Sequence, residues 1–450
     1  MKNYNIISIN NKLETEQNIN KKRNKIIIKY RKSKIENLLK NMPLNLKHYL
    51  LNLDINGKIK TVPEDFIVEE ITPNGTILKV GENIDFPEET KQSWNGSFLH
   101  FTLEKINWNT MDAIREIAKR TKKQRKNFGF AGTKDKFALT TQRIGCYGLK
   151  PEDLENIKNS IKDIIIKDIQ KTNIKLRMGY LWGNRFTIKI RVNEEDRYYN
   201  QLHKYEKILE NKNLEYILNY YGIQRFGTFR PITHIVGKFI YQRDFEGAFY
   251  TYCGTPINEE GEIRGAREFV DNGNFKEALK IFSNKKYKNT YYNEVKMIRH
   301  YLKTENYKEC FKVLPPQLIS MFVNAYQSYL FNEMINRRYE KYSFNIYEGD
   351  VLEDNIPTGN LLGYNTKLSN GIQGDIEKEI MEKENIDLNK FKIEDYGNFP
   401  GTKRKLITKI YDFQYNINEK DNIITLSFSL ERGNYATSVL REIVSKNVKI

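Results

Sequence analysis

Alternation of hydrophobic and polar residues predicts β-strands towards both ends of the chain. The segment Gly57–Ile71 alternates around Pro63 in the way typical of an edge strand, and Ser97–Lys105 sets Leu99, Phe101 and Leu103 against Phe98, His100 and Thr102. Near the C-terminus, apolar residues alternate with threonine and serine over Ile424–Leu430. Because successive side chains of a strand point to opposite faces, each segment has one apolar face, which indicates a sheet. Further strands are predicted at Phe128–Ala131, Leu139–Tyr147 and Arg185–Val192.

Between these strands the hydrophobic period changes to that of α-helices. From Ile235 to about Lys392 the apolar residues recur with helical spacing, most clearly as the stripe along Leu318–Arg338. Asn109 caps an earlier helix, and an apolar face over Ala436–Val444 predicts a closing one. The order of sheet, helices and sheet predicts one domain inserted into another. Other predicted helices are Leu154–Ile165, Asn193–Tyr221, Phe275–Phe282 and Tyr292–Leu302.

The charge balance points to a polyanionic partner. The chain has 450 residues, with 74 lysines and arginines against 57 aspartates and glutamates, which gives a net charge of +17. A positive field of this size suits a nucleic acid or an anionic membrane surface. A preference for Lys, Asn and Ile across the whole proteome would produce part of the same excess without any partner. Since a single core usually stops growing below this length, we also predict at least two domains.

Several classes of protein and site are disfavoured. No stretch approaches the length of a membrane-spanning apolar helix, and Met1–Asn20 lacks the apolar core of a secretory signal, so the protein is predicted to be cytoplasmic. The common nucleotide-binding, metalloprotease and hydrolase signatures are missing, and the five histidines are scattered, which argues against metal or serine–histidine chemistry. The three cysteines are too far apart to suggest a disulfide framework or a zinc site: Cys146, Cys253 and Cys310.

The start of the chain is a basic region of its own. Met1–Pro43 carries eleven lysines and arginines against three glutamates, together with many asparagines. Within it, Asn24–Lys34 is interpreted as a short strand or a basic arm. We predict that residues 1–45 form a loosely attached basic extension, more simply a solvated tail than a specific reader of sequence.

The first candidate site is a carboxylate among basic residues. In Phe128–Gln142, with the sequence FGFAGTKDKFALTTQ, Asp135 lies in a loop that Gly132 opens between two predicted strands. Its neighbours Lys134 and Lys136 would hold the carboxylate ionised and attract phosphates. The plain alternative, which the local sequence alone favours, is a solvated hairpin turn with an ordinary charged surface.

Three further segments place aromatic residues among polar ones. Asn219–Pro231 interleaves tyrosines and phenylalanines with two arginines; such rings stack on bases, and amide side chains read base edges. In Glu431–Glu442, Tyr435 lies where a strand gives way to a helix, and Pro63–Phe66 is a turn that leads into a strand. Each segment also has a plain structural interpretation. Asn219–Pro231 would be a helix end with core tyrosines, Tyr435 a packed aromatic residue, and Pro63–Phe66 an edge-strand turn.

Taken together, these segments resemble the TruD family of tRNA pseudouridine synthases. The resemblance runs from about Gly57 to Val444 and leaves out roughly the first forty residues. It implies an α+β fold, in which the mixed β-sheet of a pseudouridine-synthase catalytic domain (residues 46–221 and 409–450) is interrupted by a helix-rich, family-specific TRUD domain (residues 222–408). The five motifs that carry it, in order, are PEDFIVEE, GFAGTKDKFALTTQ, NYYGIQRFG, FVNAYQSYLFN and RGNYATSVLRE.

The resemblance also implies a reaction. Members of the family isomerise uridine at position 13 of tRNA to pseudouridine without cofactor or metal, so tRNA is the expected partner, with neither a membrane nor a required protein partner. The aspartate of the GTKD motif, here Asp135, would be the catalytic residue. Whether this carboxylate attacks the sugar or acts as a base there stays open.

The remaining site residues follow from positions within the motifs. Phe66 and Tyr435 would bracket the flipped-out base, Asn219 would contact the uridine, and Lys60 would be a basic partner near the nucleophile. Tyr221 is also assigned to substrate binding. Bacterial members have phenylalanine where this chain has Tyr435, which keeps the stacking face and adds a hydroxyl. Two rival functions stay open: an RNA-binding protein or RNA chaperone without catalysis, and a hydrolase in which water replaces C5 in trapping the intermediate.

Overall fold

The chain divides into two units that alternate along the sequence. A computed structural model of the protein describes residues 25–44, 46–51, 53–84, 96–158, 160–192, 205–207, 209–210 and 214–444. The first unit, called here the helical unit, draws on residues 1–48 and 220–406; the second, the sheet unit, draws on residues 49–219 and 407–450. The helical unit therefore interrupts the sequence of the sheet unit, and the α+β class predicted from the sequence is confirmed.

The strands of the described residues are numbered in chain order. They are β1 (Gly57–Lys58), β2 (Phe66–Ile71), β3 (Phe98–Ile106), β4 (Phe128–Phe130), β5 (Leu139–Tyr147), β6 (Ile164–Thr172), β7 (Gly183–Val192), β8 (Tyr216–Leu218), β9 (Leu352–Glu353), β10 (Ile356–Leu361), β11 (Lys392–Ile393), β12 (Gly397–Asn398), β13 (Thr402–Lys405), β14 (Ile407–Lys409), β15 (Tyr411–Asn418) and β16 (Ile423–Glu431).

The helices are numbered in the same way. They are α1 (residues 25–41), α2 (Thr110–Arg120), α3 (Pro151–Glu155), α4 (Thr233–Tyr241), α5 (Phe245–Cys253), α6 (Gly261–Asp271), α7 (Phe275–Phe282), α8 (Tyr292–Thr304), α9 (Tyr307–Lys312), α10 (Pro316–Tyr342), α11 (Gly371–Glu384) and α12 (Ala436–Ile443), with 3₁₀ turns at Pro63–Asp65, Arg125–Asn127, Ile223–Arg225 and Leu388–Phe391.

One mixed sheet organises the sheet unit. Within the described ranges its strands follow the order β15-β16-β7-β2-β5-β3-β6, with β1 beside β7 and β4 beside β5. Its pairs are antiparallel apart from β2 and β5, which run parallel with Ile67 opposite Leu139. Since parallel strands begin at the same edge of a sheet, Phe66, the first residue of β2, lies at the end from which β5 also starts.

Apolar side chains cover both halves of this sheet. One cluster joins β2, β7 and β16 to α12 and includes Phe66, Phe186 and Leu440. A second cluster joins β3 and β5 to α2 and includes Leu103 and Ile114. Burying one such side chain fully contributes about 1.5–3 kcal/mol, so the two clusters fix the strands that carry the candidate site.

A long central helix organises the helical unit. Helix α10 is buried around most of its circumference between Ile319 and Arg338, as expected for a helix that neighbours surround. Helix α4 crosses it at close range, because a β-carbon at Gly237 would overlap the main-chain oxygen of Phe322. Only glycine permits this approach, and the contact holds the segment after the NYYGIQRFG motif against α10.

Two helices expected from periodicity are wrong in whole or in part. Over Leu154–Ile165, helix α3 already ends at Glu155, and β6 begins at Ile164. Of the predicted helix Asn193–Tyr221, residues 193–204, 208 and 211–213 lie outside the described residues, residues 205–207 and 209–210 are helical, and residues 216–218 form β8. Both strands pair with partners distant in sequence, β3 and β14, which a local hydrophobic period does not reveal.

The segment predicted to be a short strand or a basic arm is instead part of α1. Only 9% of Arg31 is exposed; its guanidinium contacts the Glu246 carboxylate at 3.1 Å, donates to the main-chain oxygen of Asp271 at 2.9 Å and lies 3.2 Å from the ring centroid of Tyr250. Ile35 is also buried. The interpretation as a loosely attached, solvated tail is therefore wrong for residues 25–41, while residues 1–24 lie outside the described residues.

We expect Arg31→Met to lower the free energy of unfolding by about 2 kcal/mol, because it removes charge-assisted hydrogen bonds and a cation–π contact. Lys29→Met, an exposed lysine of the same helix, is the matched control and should change stability by less than about 0.5 kcal/mol. Urea unfolding of the two variants measures both effects. Equal stability of the two variants would show that α1 is not anchored through Arg31.

Candidate active site

Asp135 lies on the loop that leads from β4 into β5. Along this loop Lys134 and Ala138 are buried, whereas Asp135, Lys136 and Phe137 are exposed. The loop reaches the sheet at Leu139, the residue opposite Ile67 in β2. The carboxylate is therefore presented to solvent at the end of the sheet where β2 begins.

Lys60 joins two of the predicted site residues. Its Nζ lies 2.9 Å from Oδ2 of Asp135, whose side chain is 47% exposed, and 4.0 Å from the ring centroid of Phe66. Lys60 has φ of 54°, in the left-handed region, which costs a non-glycine residue about 1–3 kcal/mol. The structure thus brings Asp135, Lys60 and Phe66 together by direct contacts, as the motif positions predict.

A buried carboxylate positions Phe66. Asp65 is fully buried and accepts hydrogen bonds from Arg191 at 2.7 and 2.9 Å and from the main-chain N–H groups of Thr61 and Val62. Burial opposes ionisation of Asp65, but the hydrogen bonds from Arg191 and the main chain outweigh it and lower the pKa of the carboxyl below its ordinary value. This pair is not evident from the sequence, since Arg191 is 126 residues away from Asp65.

A second buried pair lies beneath the loop that carries Asp135. Nζ of Lys134 is 2.8 Å from Oε2 of Glu70, and these side chains are only 5% and 1% exposed. The N–H of Lys134 donates to Thr110 Oγ1, whose hydroxyl donates to Gln142, and the Gln142 amide donates to the carbonyl of Gly132. Lys134 therefore ties the loop to the core. Its ammonium is paired with Glu70 and not with the adjacent Asp135.

Asn219 and Tyr435 belong to neighbouring elements of the sheet unit. Asn219 is buried directly after β8, and Tyr435 is half-buried directly before α12. Ile217 of β8 and Leu440 of α12 share one apolar cluster, which holds the two elements side by side. The contact of either residue with a uridine stays a prediction.

Tyr221 belongs to the helical unit and is 8% exposed. Its main-chain N–H donates to Oδ1 of Asn332 and its carbonyl accepts from Nδ2 of the same residue, at 2.8 and 3.0 Å. The Arg404 guanidinium lies 4.3 Å from its ring centroid, and the ring of Phe331 meets it edge-on. The NYYGIQRFG and FVNAYQSYLFN motifs are thus joined here, while the assignment of Tyr221 to substrate binding stays a prediction.

Throughout the described ranges, no group of three or more His, Cys, Asp or Glu side chains could hold a metal ion. Nor is any helix in that part of the chain long and apolar enough to cross a bilayer. Cys146, Cys253 and Cys310 are buried free thiols, and burial raises the pKa of Cys146 and Cys310 to about 12.

Comparison with known proteins decides the family. The sequence model of the family described as tRNA pseudouridine synthase D (TruD) matches residues 43–355 and 352–443. The chain belongs to the TruD family. The resemblance stated from the five motifs is thereby confirmed, and helix α1 lies before the region that the TruD family model matches.

TruD proteins of archaea are similar to this chain over most of its length. A Methanococcus aeolicus protein named tRNA pseudouridine synthase D is 74% identical over 405 residues, which cover 90% of this chain and all of that protein. One of the same name from Methanocaldococcus jannaschii is 54% identical, again over 90% of this chain and all of its own length. A TruD crystal structure from Methanosarcina mazei has 30% identity and a TM-score of 0.69, covering 90% of this chain and 97% of that one. The fold is therefore that of the TruD pseudouridine synthases.

Proposed function

We propose that the protein isomerises uridine to pseudouridine in tRNA, at position 13, and that Asp135 carries out the chemistry. The observation that supports this most directly is the exposed carboxylate of Asp135, which Lys60 holds at the end of the sheet where Phe66 opens β2. Relatives matched along 90% of the chain are named for this enzyme. On this proposal the sheet unit is the catalytic domain and the helical unit is the TRUD domain.

The reaction exchanges one bond of the sugar for another. The bond from C1′ to N1 breaks, the uracil turns, and a bond from C1′ to C5 forms; C5 loses a proton and N1 gains one, so no atom is added or lost. As a nucleophile, Asp135 would form an ester with the sugar, and as a base it would take a proton from the sugar. Both routes need a carboxylate with a free oxygen, which its 47% exposure supplies.

The uridine must leave the tRNA structure to reach this carboxylate. Flipping a base out costs a few kcal/mol, which stacking on aromatic rings offsets. The ring of Phe66 is only 3% exposed, with the Lys60 ammonium above it. A uracil that stacks on Phe66 would take the place of this ammonium, and Lys60 would keep its contact with Asp135. Tyr435 would cover the other face of the base, and Asn219 and Tyr221 would contact the nucleotide.

Pseudouridine mapping of tRNA tests the proposal. Unmodified tRNA incubated with the purified protein should gain one pseudouridine, at position 13, and tRNA from cells without the protein should lack it. Release of free uracil instead would favour the hydrolase. Tight binding without any change in the RNA would favour the RNA-binding protein or chaperone, and modification at another position would correct the assignment to position 13.

The proposed role of Tyr435 predicts a difference between two substitutions. Tyr435→Phe should be mild, because the stacking face survives, whereas Tyr435→Ala should lose about 1–3 kcal/mol of stacking and slow the reaction accordingly. Tyr147→Ala is the control, since this exposed tyrosine ends β5. It lies at the opposite end of the strand from the loop that carries Asp135, which is the catalytic loop on this proposal. Single-turnover rates measure all three. If the Phe and Ala variants are equally slow, the hydroxyl rather than the ring is what the reaction needs.

A further inference from the structure

Lys105 differs from the other buried lysines of the described residues. Each of the others has a glutamate as its partner, with Nζ and Oε2 2.7 or 2.8 Å apart. Lys105 is fully buried and forms no ion pair in the part of the chain that the structure describes. The paired lysines are Lys134 with Glu70, Lys167 with Glu104 and Lys238 with Glu384.

An ammonium buried without a carboxylate in direct contact is unfavourable, because it loses its hydration and gains a counter-charge only from a distance. For Lys105, burial lowers the pKa to about 8, although attraction to Asp135 opposes this change; repulsion from Lys134 adds to it. Groups perturbed by burial and one specific charge partner are typical of functional sites. The place of Lys105 in the fold supports the same conclusion.

Lys105 is aimed at the catalytic loop. It lies near the end of β3, opposite Thr140 in β5, and therefore at the sheet end where the loop enters. Its Nζ donates to the main-chain oxygen of Asp135 at 2.8 Å. The charged groups that face it are Asp135 and Lys134, and of these Lys134 is already paired with Glu70.

We propose that Lys105 is a positioning residue for Asp135: its ammonium holds the main-chain carbonyl of the aspartate and takes the Asp135 carboxylate as its counter-charge. The inference rests on the proposed function only where it concerns catalysis. The carboxylate then interacts with two lysine ammonium groups, that of Lys60 at the surface and that of Lys105 beneath the loop. A step that neutralises Asp135 deprives Lys105 of its counter-charge, so Lys105 favours the return of the free carboxylate at the end of each turnover.

Kinetics of two matched variants test the positioning role. Lys105→Met should lower kcat about 10- to 100-fold by misplacing the carboxylate, with the KM for tRNA within about threefold of the parent. Lys167→Met is the control, because Lys167 is also buried and also donates to a main-chain carbonyl, that of Lys79, but on β6. It should lower the melting temperature and leave kcat within about twofold. An unchanged kcat in Lys105→Met, or equal losses of kcat in both variants, would overturn the proposal.

A stability cycle tests the counter-charge without RNA. Asp135→Asn should lower the melting temperature more in the parent than in the Lys105→Met background, because only the parent then keeps a buried ammonium without a carboxylate. In the Lys167→Met background the loss should equal that in the parent. If Asp135→Asn lowered the melting temperature equally in all three backgrounds, the Asp135 carboxylate would not be the counter-charge of Lys105. If Lys105→Met does not fold, Lys105→Gln, which keeps a donor without the charge, replaces it. Because the cycle needs no activity, its failure is distinct from failure of the proposed function.

The pH dependence of stability gives a second readout that is independent of RNA. The folded protein binds the Lys105 proton less readily than the unfolded chain does. The loss of stability caused by burying the charged lysine is therefore complete below about pH 8, and it fades as the pH rises towards 10.5, the ordinary pKa of a lysine. The parent should therefore gain melting temperature relative to Lys105→Met between pH 8 and 10. A constant difference across that range would overturn the assignment of a charged, buried Lys105.

Discussion

Asp135→Asn should abolish turnover of tRNA uridine and leave tRNA affinity within a few-fold of the parent. The amide has nearly the size of the carboxylate, but it can neither form an ester with the sugar nor take a proton from it. We expect the rate to fall at least about 10²-fold, the smallest loss typical of removing an acid or base from an active site. Affinity should persist, because contacts between basic residues and phosphates dominate RNA binding.

Single-turnover assays with radiolabelled uridine in tRNA measure the rate, and equilibrium binding measures the affinity. Asp112→Asn is the matched control: this carboxylate is exposed in the first turn of α2 and pairs with Arg115 at 2.7 Å. It should leave both quantities unchanged. A rate for Asp135→Asn close to that of the parent would remove Asp135 from the mechanism.

Lys134→Met should lower the free energy of unfolding by about 3–5 kcal/mol, because it leaves the Glu70 carboxylate buried without its partner. Glu70 would then keep the hydrogen bond from the N–H of Arg143, at 3.1 Å, which supplies no full positive charge. Replacing both residues of the pair by apolar ones, as in Lys134→Met with Glu70→Leu, should restore much of the loss, since no unpaired charge is left in the core.

Denaturant unfolding compares these variants with Lys79→Met, the control at an exposed ion pair. The Lys79 ammonium lies 3.1 Å from Glu82, and both side chains are at least half exposed, so its loss should be below about 1 kcal/mol. If Lys134→Met were no more harmful than Lys79→Met, the pair beneath the loop would contribute little, and the loop would have to be held by Thr110 and Gln142.

Strands with a clear alternation were predictable, because a hydrophobic period of two residues is itself the mark of a strand. Ser97–Lys105 and Arg185–Val192 are confirmed as the bulk of β3 and β7. Leu154–Ile165 failed for the opposite reason. Its last residues join β6 opposite the end of β3, with Ile164 facing Lys105, and a pairing partner outside the window decides their structure.

The candidate site was predictable as far as its motifs reach. Asp135, Lys60 and Phe66 were assigned by position, and Lys60 contacts both of the others, while their roles stay predictions. The groups that hold these residues in place were missed. Lys134 was interpreted as a neighbour of the Asp135 charge because the two are adjacent in sequence, but the Lys134 side chain is buried whereas Asp135 is exposed. The ion-pair partner of Lys134 is Glu70, 64 residues away in sequence, and no local sequence pattern predicts this pairing.

The basic N-terminal region shows the limit of composition as a guide. Its many lysines suggested a solvated tail, but the same residues include Arg31 and Ile35, four positions apart and both buried on one face of α1. The groups that accept hydrogen bonds from Arg31 lie more than 200 residues further along the chain. Composition alone therefore could not distinguish a docked helix from a free arm.

The pairing of β16 with β7 imposes an order of events on the ribosome. Strand β7 lies between β2 and β16, so one of its edges stays unpaired until β16 is made about 230 residues later, which takes roughly 10–50 s at ordinary elongation rates. Residues 220–406, the larger part of the helical unit, are made during this delay. Leu218 lies opposite Ile407, so the residues that flank the insertion are neighbours in the folded protein. If the insertion folds first, its ends are already close together, and the entropy cost of closing the loop between β7 and β16 is greatly reduced. The sheet that carries Asp135 is thus completed last, and a nascent chain released before β16 emerges would leave Phe186 and its neighbours exposed to aggregation.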